Sequence, residues 1–385
     1  MDVDALLADA EIRVIVCCGS GGVGKTTTAA ALGLRAAEAH GRRTVVLTID
    51  PAKRLAQALG LTELDNTPRR VEHVRSGELH AMMLDMKRTF DEVVAAHTEP
   101  KRAEEIYVNP FYQAMSSTFA GTQEYMAMEK LSQLRARDEW DLIVVDTPPS
   151  RSALDFLDAP ARLGRFLDGR MLRLLTAPAR SGGRSVFSLV TASFGLFSKL
   201  MDKILGAQLI TDLSGFVGAL DSMFGGFRDR AEQTFRVLQA DETAFLVVAV
   251  PEPDAIREAD YFAGRLAAEQ MPLAGLLLNR VHLTETDAID GVDAARASDL
   301  IRDGNPVAAD VLQVHAVMMA RAERERAITL RFTKAHPTVP VAVVPAQPVD
   351  VHDIDGLRKI GESVRATSYR PVGRPAKENA THIHA

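Results

Sequence analysis

The chain carries Gly19-Ser20-Gly21-Gly22-Val23-Gly24-Lys25-Thr26 between an apolar run at 12–18 and an Ala- and Leu-rich run at 26–40. The first run is typical of a buried strand, and the second of a helix that ends near Gly41. The glycines let backbone N–H groups turn inward around phosphates, and the helix N-terminus adds partial positive charge. The complete GxxxxGKT pattern therefore predicts a phosphate-binding loop. The residues predicted to line it are Gly19, Ser20, Gly21, Gly22, Val23, Gly24, Lys25, Thr26 and Thr27.

Side chains in and near this loop suit a magnesium-dependent nucleotide site. Lys25 is expected to reach the β- and γ-phosphates, and the Thr26 hydroxyl to ligate Mg²⁺. Asp146 follows an apolar run at 142–145 and is predicted to hold Mg²⁺, with capping of the strand end as the alternative. Asp50 follows a similar run, where it could bind the metal and orient or deprotonate an attacking water. The expected nucleotide is ATP, with GTP as an alternative.

Further apolar runs alternate with helical stretches along the chain. This alternation predicts an α/β fold, a P-loop NTPase with a mostly parallel, doubly wound sheet and helices on both faces. The runs predicted as strands lie at 12–18, 44–49, 79–84, 142–145, 244–250, 273–278 and 339–344.

Two stretches, 88–137 and 159–239, interrupt the alternation. They have few strand signals and many Met and Phe residues, and the apolar residues within 187–205 recur at helical spacing. We predict that the two stretches form one inserted α-helical subdomain. The nucleotide-binding α/β domain would then comprise 12–87, 138–158 and 240–366. The polar tail at 367–385 is predicted to be disordered.

Composition excludes several classes of protein. The 385 residues carry a net charge of −6, which gives no general basic surface, so no nucleic-acid partner is expected. The two cysteines, Cys17 and Cys18, are adjacent, so neither a disulfide nor a paired-cysteine zinc site is expected. The longest notably apolar uncharged stretch, 185–198, is shorter than the roughly 20 residues that cross a bilayer, and the N-terminus lacks a secretory signal. We expect a cytoplasmic protein, with peripheral membrane contact left open.

Several short motifs occur in an order that a known family shares. They are Ile49-Asp50-Pro51-Ala52, Gly121-Thr122-Gln123-Glu124, Asp146-Thr147-Pro148-Pro149-Ser150, Asn279 after three leucines, and Pro345-Ala346-Gln347-Pro348-Val349. With the phosphate loop, they make the chain resemble the arsenite-pump ATPase family, which includes the eukaryotic ATPase that targets tail-anchored membrane proteins. The resemblance covers roughly residues 12–366, nearly the whole chain.

The resemblance implies a dimer, homomeric or heteromeric, in which two nucleotide sites face each other and ATP drives closure. The family has two switch segments, which respond to the bound nucleotide. Asp50 would activate water in the first switch segment, and Asp146 would act in the second. Asn279 would read the adenine, within a loop to which Pro345, Gln347 and Val349 belong. This chain has one ATPase unit rather than the tandem pair of the arsenite-pump enzyme.

The chain departs from the family at the phosphate loop and in the second switch segment, which begins at Asp146. Ser20 stands where the family has a second lysine that reaches into the partner's site, and Arg151 and Ser152 replace a usual glycine and histidine. A heterodimer with a lysine-bearing paralogue is one explanation. A homodimer that turns over slowly, or in which Arg151 substitutes, is the other.

Three functions remain open on the sequence. The first is an ATP-driven switch that carries a hydrophobic client on its helical subdomain, although Met- and Phe-rich helices equally suit an ordinary core. The second is an energising or regulatory ATPase subunit of a membrane transport system. The third is a weakly active half of a heterodimer.

Overall fold

A computed structural model describes the chain in six main stretches, 1–50, 54–110, 112–113, 122–148, 232–284 and 289–366, with residue 116 in addition. Several positions singled out in the sequence lie outside the described residues. They are Pro51, Ala52, Gly121, Pro149, Ser150, Arg151, Ser152, the stretch 187–205 and the tail 367–385.

The described strands form one eight-stranded sheet in the order β3-β4-β2-β5-β1-β6-β7-β8. All neighbours pair in parallel except β3 and β4, which are antiparallel. The strands are β1 (Val14–Cys18), β2 (Arg43–Thr48), β3 (Arg69–Arg70), β4 (Glu78–Met83), β5 (Leu142–Asp146), β6 (Thr243–Ala249), β7 (Leu273–Val281) and β8 (Val341–Pro345). Each run predicted as a strand is one, within about two or three residues at its ends.

Helices cover the sheet, as the alternation predicts, so the α/β fold class is confirmed. The described helices are α1 (Val3–Ala8), α2 (Lys25–His40), α3 (Arg54–Ala58), α4 (Met86–His97), α5 (Pro100–Tyr107), α6 (Thr122–Arg137), α7 (Pro253–Ala268), α8 (Gly291–Ile301), α9 (Pro306–Ala335) and α10 (Ile354–Ala366). Gly41 ends α2 in a left-handed conformation with φ 66°, as predicted for this helix terminus. Within the described residues, no helix is both long and apolar enough to cross a membrane.

The central strand β1 is buried on both faces, which explains its unbroken apolar sequence. Val14, Val16 and Cys18 belong to one hydrophobic cluster with residues of α4, α6 and α7. Ile15 and Cys17 belong to the second cluster, with residues of α2, α3 and α10. Full burial of an aliphatic side chain of this size contributes about 1.5–3 kcal/mol, so the two layers hold β1, and the loop after it, in place.

The predicted division into two domains stays a prediction. Helices α4 and α6, which fall in the stretch 88–137, share their hydrophobic cluster with sheet residues such as Val45 and Ile143. Only 232–239 of the second stretch lies among the described residues. Helices α8 and α9, which pack against each other after β7, were not predicted as a separate feature.

Candidate functional site

The predicted site residues meet at one edge of the sheet, because parallel strands end on the same side. The phosphate loop follows β1, Asp50 lies two residues beyond β2, Asp146 ends β5, and Asn279 lies near the end of β7. Strands β2, β5 and β1 are neighbours in the sheet. Ligands of open α/β sheets commonly bind in this position.

The loop backbone leaves no room for side chains at two of its glycines. Gly19 has φ 148°, and a Cβ there would collide with the carbonyl oxygen of Val248 in β6. Gly24 has φ 93°, and a Cβ there would collide with Nδ2 of Asn279. Gly24 is also the N-cap residue of α2, so no side chain caps the N-terminus of this helix. Such a backbone-lined helix N-terminus is suited to an anion.

Lys25 is buried at the base of the loop, with 6% of its surface exposed. Its Nζ atom donates a hydrogen bond to the carbonyl oxygen of Ser20 at 2.7 Å. Burial lowers the pKa of Lys25, and the nearby Asp146 carboxylate opposes that shift. The ammonium group therefore lies inside the curve of the loop, where a bound phosphate would contact it.

Asp146 is fully buried at the end of β5. Its Oδ2 atom accepts hydrogen bonds from the hydroxyls of Thr26 and Thr48, each at 2.8 Å, whereas its Oδ1 atom has no partner. Burial raises the pKa of Asp146 to about 6, although the two hydroxyls and Lys25 act in the opposite direction. A buried carboxylate oxygen without a partner, beside a threonine hydroxyl, fits the all-oxygen ligand set that Mg²⁺ prefers.

Asp50 is held beside Asp146 by a residue that we did not predict. The Thr48 hydroxyl, which donates to Asp146, also accepts a hydrogen bond from the Asp50 backbone N–H at 3.2 Å. The Asp50 carboxylate accepts from Arg54 at 3.3 Å, and the preceding carbonyl, of Ile49, accepts from the Gln123 side chain at 2.8 Å. The signal that could have identified Thr48 is a polar residue between Leu47 and Ile49, at the carboxyl end of β2.

The predicted adenine site is brought together only in part. Strands β7 and β8 are neighbours, and the Ala346 N–H donates to the carbonyl of Val281 at 2.9 Å, which joins the loop after β8 to the end of β7. Gln347 donates to the carbonyl of Pro345 at 3.1 Å. Val349 is 72% exposed. Asn279 lies against the phosphate loop, where its Nδ2 atom donates to the Val23 carbonyl at 2.8 Å.

Comparison with known sequences agrees with this geometry. A profile of the family described as "Anion-transporting ATPase" matches residues 12–299, about three quarters of the chain. The chain belongs to this family. It is therefore an ATPase, as the phosphate loop predicts, and the family resemblance noted in the sequence is confirmed.

Individual relatives of this ATPase have low sequence identity to it, but the matches extend over most of the chain. "ATPase GET3" of Malassezia globosa is 26% identical over 60% of this chain, and the matched part is 64% of that protein. "ATPase get3" of Schizosaccharomyces pombe is 25% identical over 73% of the chain and 77% of its own length. "ATPase ARSA2" of Chlamydomonas reinhardtii is 25% identical over 72% of the chain and 70% of its own length.

Proposed function

We propose that this ATPase cleaves the β–γ phosphoanhydride bond of ATP in a magnesium-dependent reaction at the loop of residues 19–26. The observation that carries the proposal is the buried Oδ1 atom of Asp146, which has no hydrogen-bond partner although the Thr26 hydroxyl contacts the other oxygen. Leaving such an oxygen without a partner costs free energy unless a ligand uses it. Mg²⁺, held by Asp146 and Thr26, would neutralise charge on the phosphates.

The chain's own side chains then have separate tasks. Lys25 exchanges the Ser20 carbonyl for a phosphate oxygen when ATP binds, so the ammonium charge moves from a neutral acceptor to an anion. Asp50, at 13% side-chain exposure, is accessible enough to orient a water and accept its proton. Thr48 joins the Asp146 carboxylate to the Asp50 backbone through its two hydrogen bonds. A cytoplasmic location, where ATP and reduced thiols are found, is part of this proposal.

Magnesium dependence can be tested by phosphate release in a Mg²⁺ titration of wild type, Thr26→Ala and Thr26→Ser. The serine variant keeps the hydroxyl and should resemble wild type. The alanine variant should need about 10-fold more Mg²⁺, or more, for half-maximal turnover, because a ligand is lost. Wild-type turnover that persists in EDTA, or two variants that behave alike, would refute the proposal.

We also propose that the chain works as a heterodimer with a paralogue that supplies a lysine to this site. In the family that the chain resembles, a second lysine crosses the dimer interface, and Ser20 stands at its position here. One cationic donor to the transition state is commonly worth about 100-fold or more in turnover. Turnover of this chain should therefore rise about 100-fold when the paralogue is added.

Two variants test the missing lysine without the paralogue. Ser20→Lys should accelerate the isolated chain, provided that it pairs with itself, whereas Ser20→Ala should leave its slow rate unchanged. Sedimentation with a non-hydrolysable ATP analogue measures the pairing directly. Full-speed turnover of the isolated wild type, unaltered by the paralogue, would exclude the heterodimer and favour a homodimer.

We propose finally that turnover is coupled to an apolar partner, either a hydrophobic client or a membrane protein, through the predicted helical subdomain at 88–137 and 159–239. The support is the Met- and Phe-rich composition of these stretches together with the family resemblance. Asp50→Asn, which should hold ATP, is expected to retain such a partner during purification, and Lys25→Ala is expected to lose it. Equal recovery with both variants would argue against nucleotide-dependent coupling.

A further inference from the structure

Strand β7 is irregular at the point where Asn279 lies. Its pairing with β8 shifts between Leu278 and Val281. Within this bulge, Arg280 adopts φ 58°, a left-handed conformation that is unfavourable for a residue with a Cβ atom. Bulges commonly redirect a side chain out of the regular alternation of a strand. Here the irregularity accompanies a side chain that points toward the phosphate loop and away from its own ladder.

The Asn279 amide is held on both sides. Nδ2 donates to the Val23 carbonyl at 2.8 Å, and Oδ1 accepts from the Arg280 backbone N–H at 3.0 Å. These partners fix the orientation of the amide. A flipped amide would place Oδ1 against the Val23 carbonyl oxygen and Nδ2 against the Arg280 N–H, which are an acceptor pair and a donor pair. The same Nδ2 atom occupies the space that a side chain on Gly24 would need. Asn279 therefore contacts the loop at two consecutive residues.

A second anchor fixes the segment that follows Asn279. The His282 backbone N–H and its ring Nδ1 atom each lie 2.8 Å from a carboxylate oxygen of Glu325. Glu325 is buried on α9 and also accepts from Arg321 at 3.1 Å. The segment 279–282 is thus attached to the phosphate loop at one end and to α9 at the other. A side chain held in this way is preorganised before any ligand binds.

We propose that Asn279 is a positioning residue of the phosphate loop, in addition to its predicted contact with the base. An amide has two N–H groups and two acceptor lone pairs, and the contacts with Val23 and Arg280 use one of each. One N–H and one lone pair remain, which is the combination that the adenine edge requires. The proposal rests on the ATP site described above. It predicts that Asn279 also controls the affinity for a ligand that has phosphates and no base.

Magnesium tripolyphosphate provides that ligand. Its affinity is measured by calorimetry for wild type, Asn279→Ala and Asn279→Asp, with ATP measured in parallel. Both variants lose the donor to Val23, so both should bind tripolyphosphate about 5- to 50-fold more weakly than wild type. Asn66→Ala is the matched control, because Asn66 is also buried and bonded through both halves of its amide, to Glu92 and to the Asp85 N–H, at the far edge of the sheet. It should leave tripolyphosphate affinity unchanged.

Hydrogen exchange of the nucleotide-free protein gives a readout that needs no ligand. In the Asn279 variants, amides of residues 19–28 should exchange faster, while those of β8 and α10 keep wild-type rates. Unchanged tripolyphosphate affinity in Asn279→Asp, with ATP binding weakened, would overturn the positioning role and leave base reading alone. Faster exchange throughout the sheet would also overturn it, because the defect would then be general. Wild-type protein that binds neither ligand would instead overturn the proposed function.

Discussion

Replacing Asp146 by Asn should stabilise the nucleotide-free protein near neutral pH and do so less in acid. Burial raises the pKa of Asp146 from an ordinary 3.8 to about 6, so the folded state favours the protonated carboxyl. The stability that this preference contributes is fully present below about pH 4 and is lost as the pH rises through about 6. This change in pKa corresponds to about 3 kcal/mol once the group is ionised.

Urea unfolding in EDTA, without nucleotide, measures how much stability is lost when the Asp146 carboxyl ionises. From about pH 5 to about pH 8, the free energy of unfolding of Asp146→Asn should rise relative to wild type by roughly 1 kcal/mol. Asp141, the residue immediately before β5, is the control, because its hydrogen bond from Arg43 lowers the pKa of that carboxyl. Asp141→Asn should therefore be less stable than wild type by an amount that stays constant over this interval, because a lowered pKa confines its pH dependence to below about pH 4. A difference between Asp146→Asn and wild type that does not change with pH would refute the reasoning.

Three substitutions test the other roles in the site. Lys25→Ala should abolish hydrolysis and strongly weaken ATP binding, because the phosphates lose their ammonium contact; undiminished phosphate release would contradict the site. Asp50→Asn should keep ATP affinity nearly unchanged while single-turnover hydrolysis falls about 100-fold or more, since the carboxylate acts on water. Lost affinity with an unchanged rate would remove Asp50 from that role. Thr48→Val should raise the Mg²⁺ needed for half-maximal turnover about 10-fold, whereas Thr48→Ser should resemble wild type; equal requirements in both would show that Thr48 does not support Asp146.

The central strands β1 and β5 could be predicted because they are buried along their whole length, so their sequences are almost entirely apolar. The run at 142–145 is entirely apolar and became β5. β3 could not be predicted, because its two residues, Arg69 and Arg70, pair at the sheet edge without an apolar signal. The bulge in β7 is equally hidden, since the run at 273–278 gives no sign that pairing shifts beyond it.

The phosphate loop could be predicted from spacing alone, because the residues that line it are eight consecutive positions of the chain. Asp146 was recognisable as the acidic end of an apolar strand. The Asn279 contact with Val23 was not, because it joins residues 256 positions apart and depends on the bulge. The bridging role of Thr48 could not be predicted either, because it also depends on a contact between distant parts of the chain. It requires β2 and β5 to be neighbours, and the sequence of neither strand indicates which strand it pairs with.

The placement of Cys17 and Cys18 on opposite faces of β1 provides two built-in probes of unfolding. These are the two cysteines of the chain, and both thiols are free and buried. Burial raises the pKa of Cys18 to about 12, so an alkylating reagent should meet little thiolate until the core opens. With Cys17→Ala, labelling reports access to the layer of α4, α6 and α7; with Cys18→Ala, it reports access to the layer of α2 and α10. Different labelling rates in the two variants would reveal that one helical layer separates from the sheet before the other.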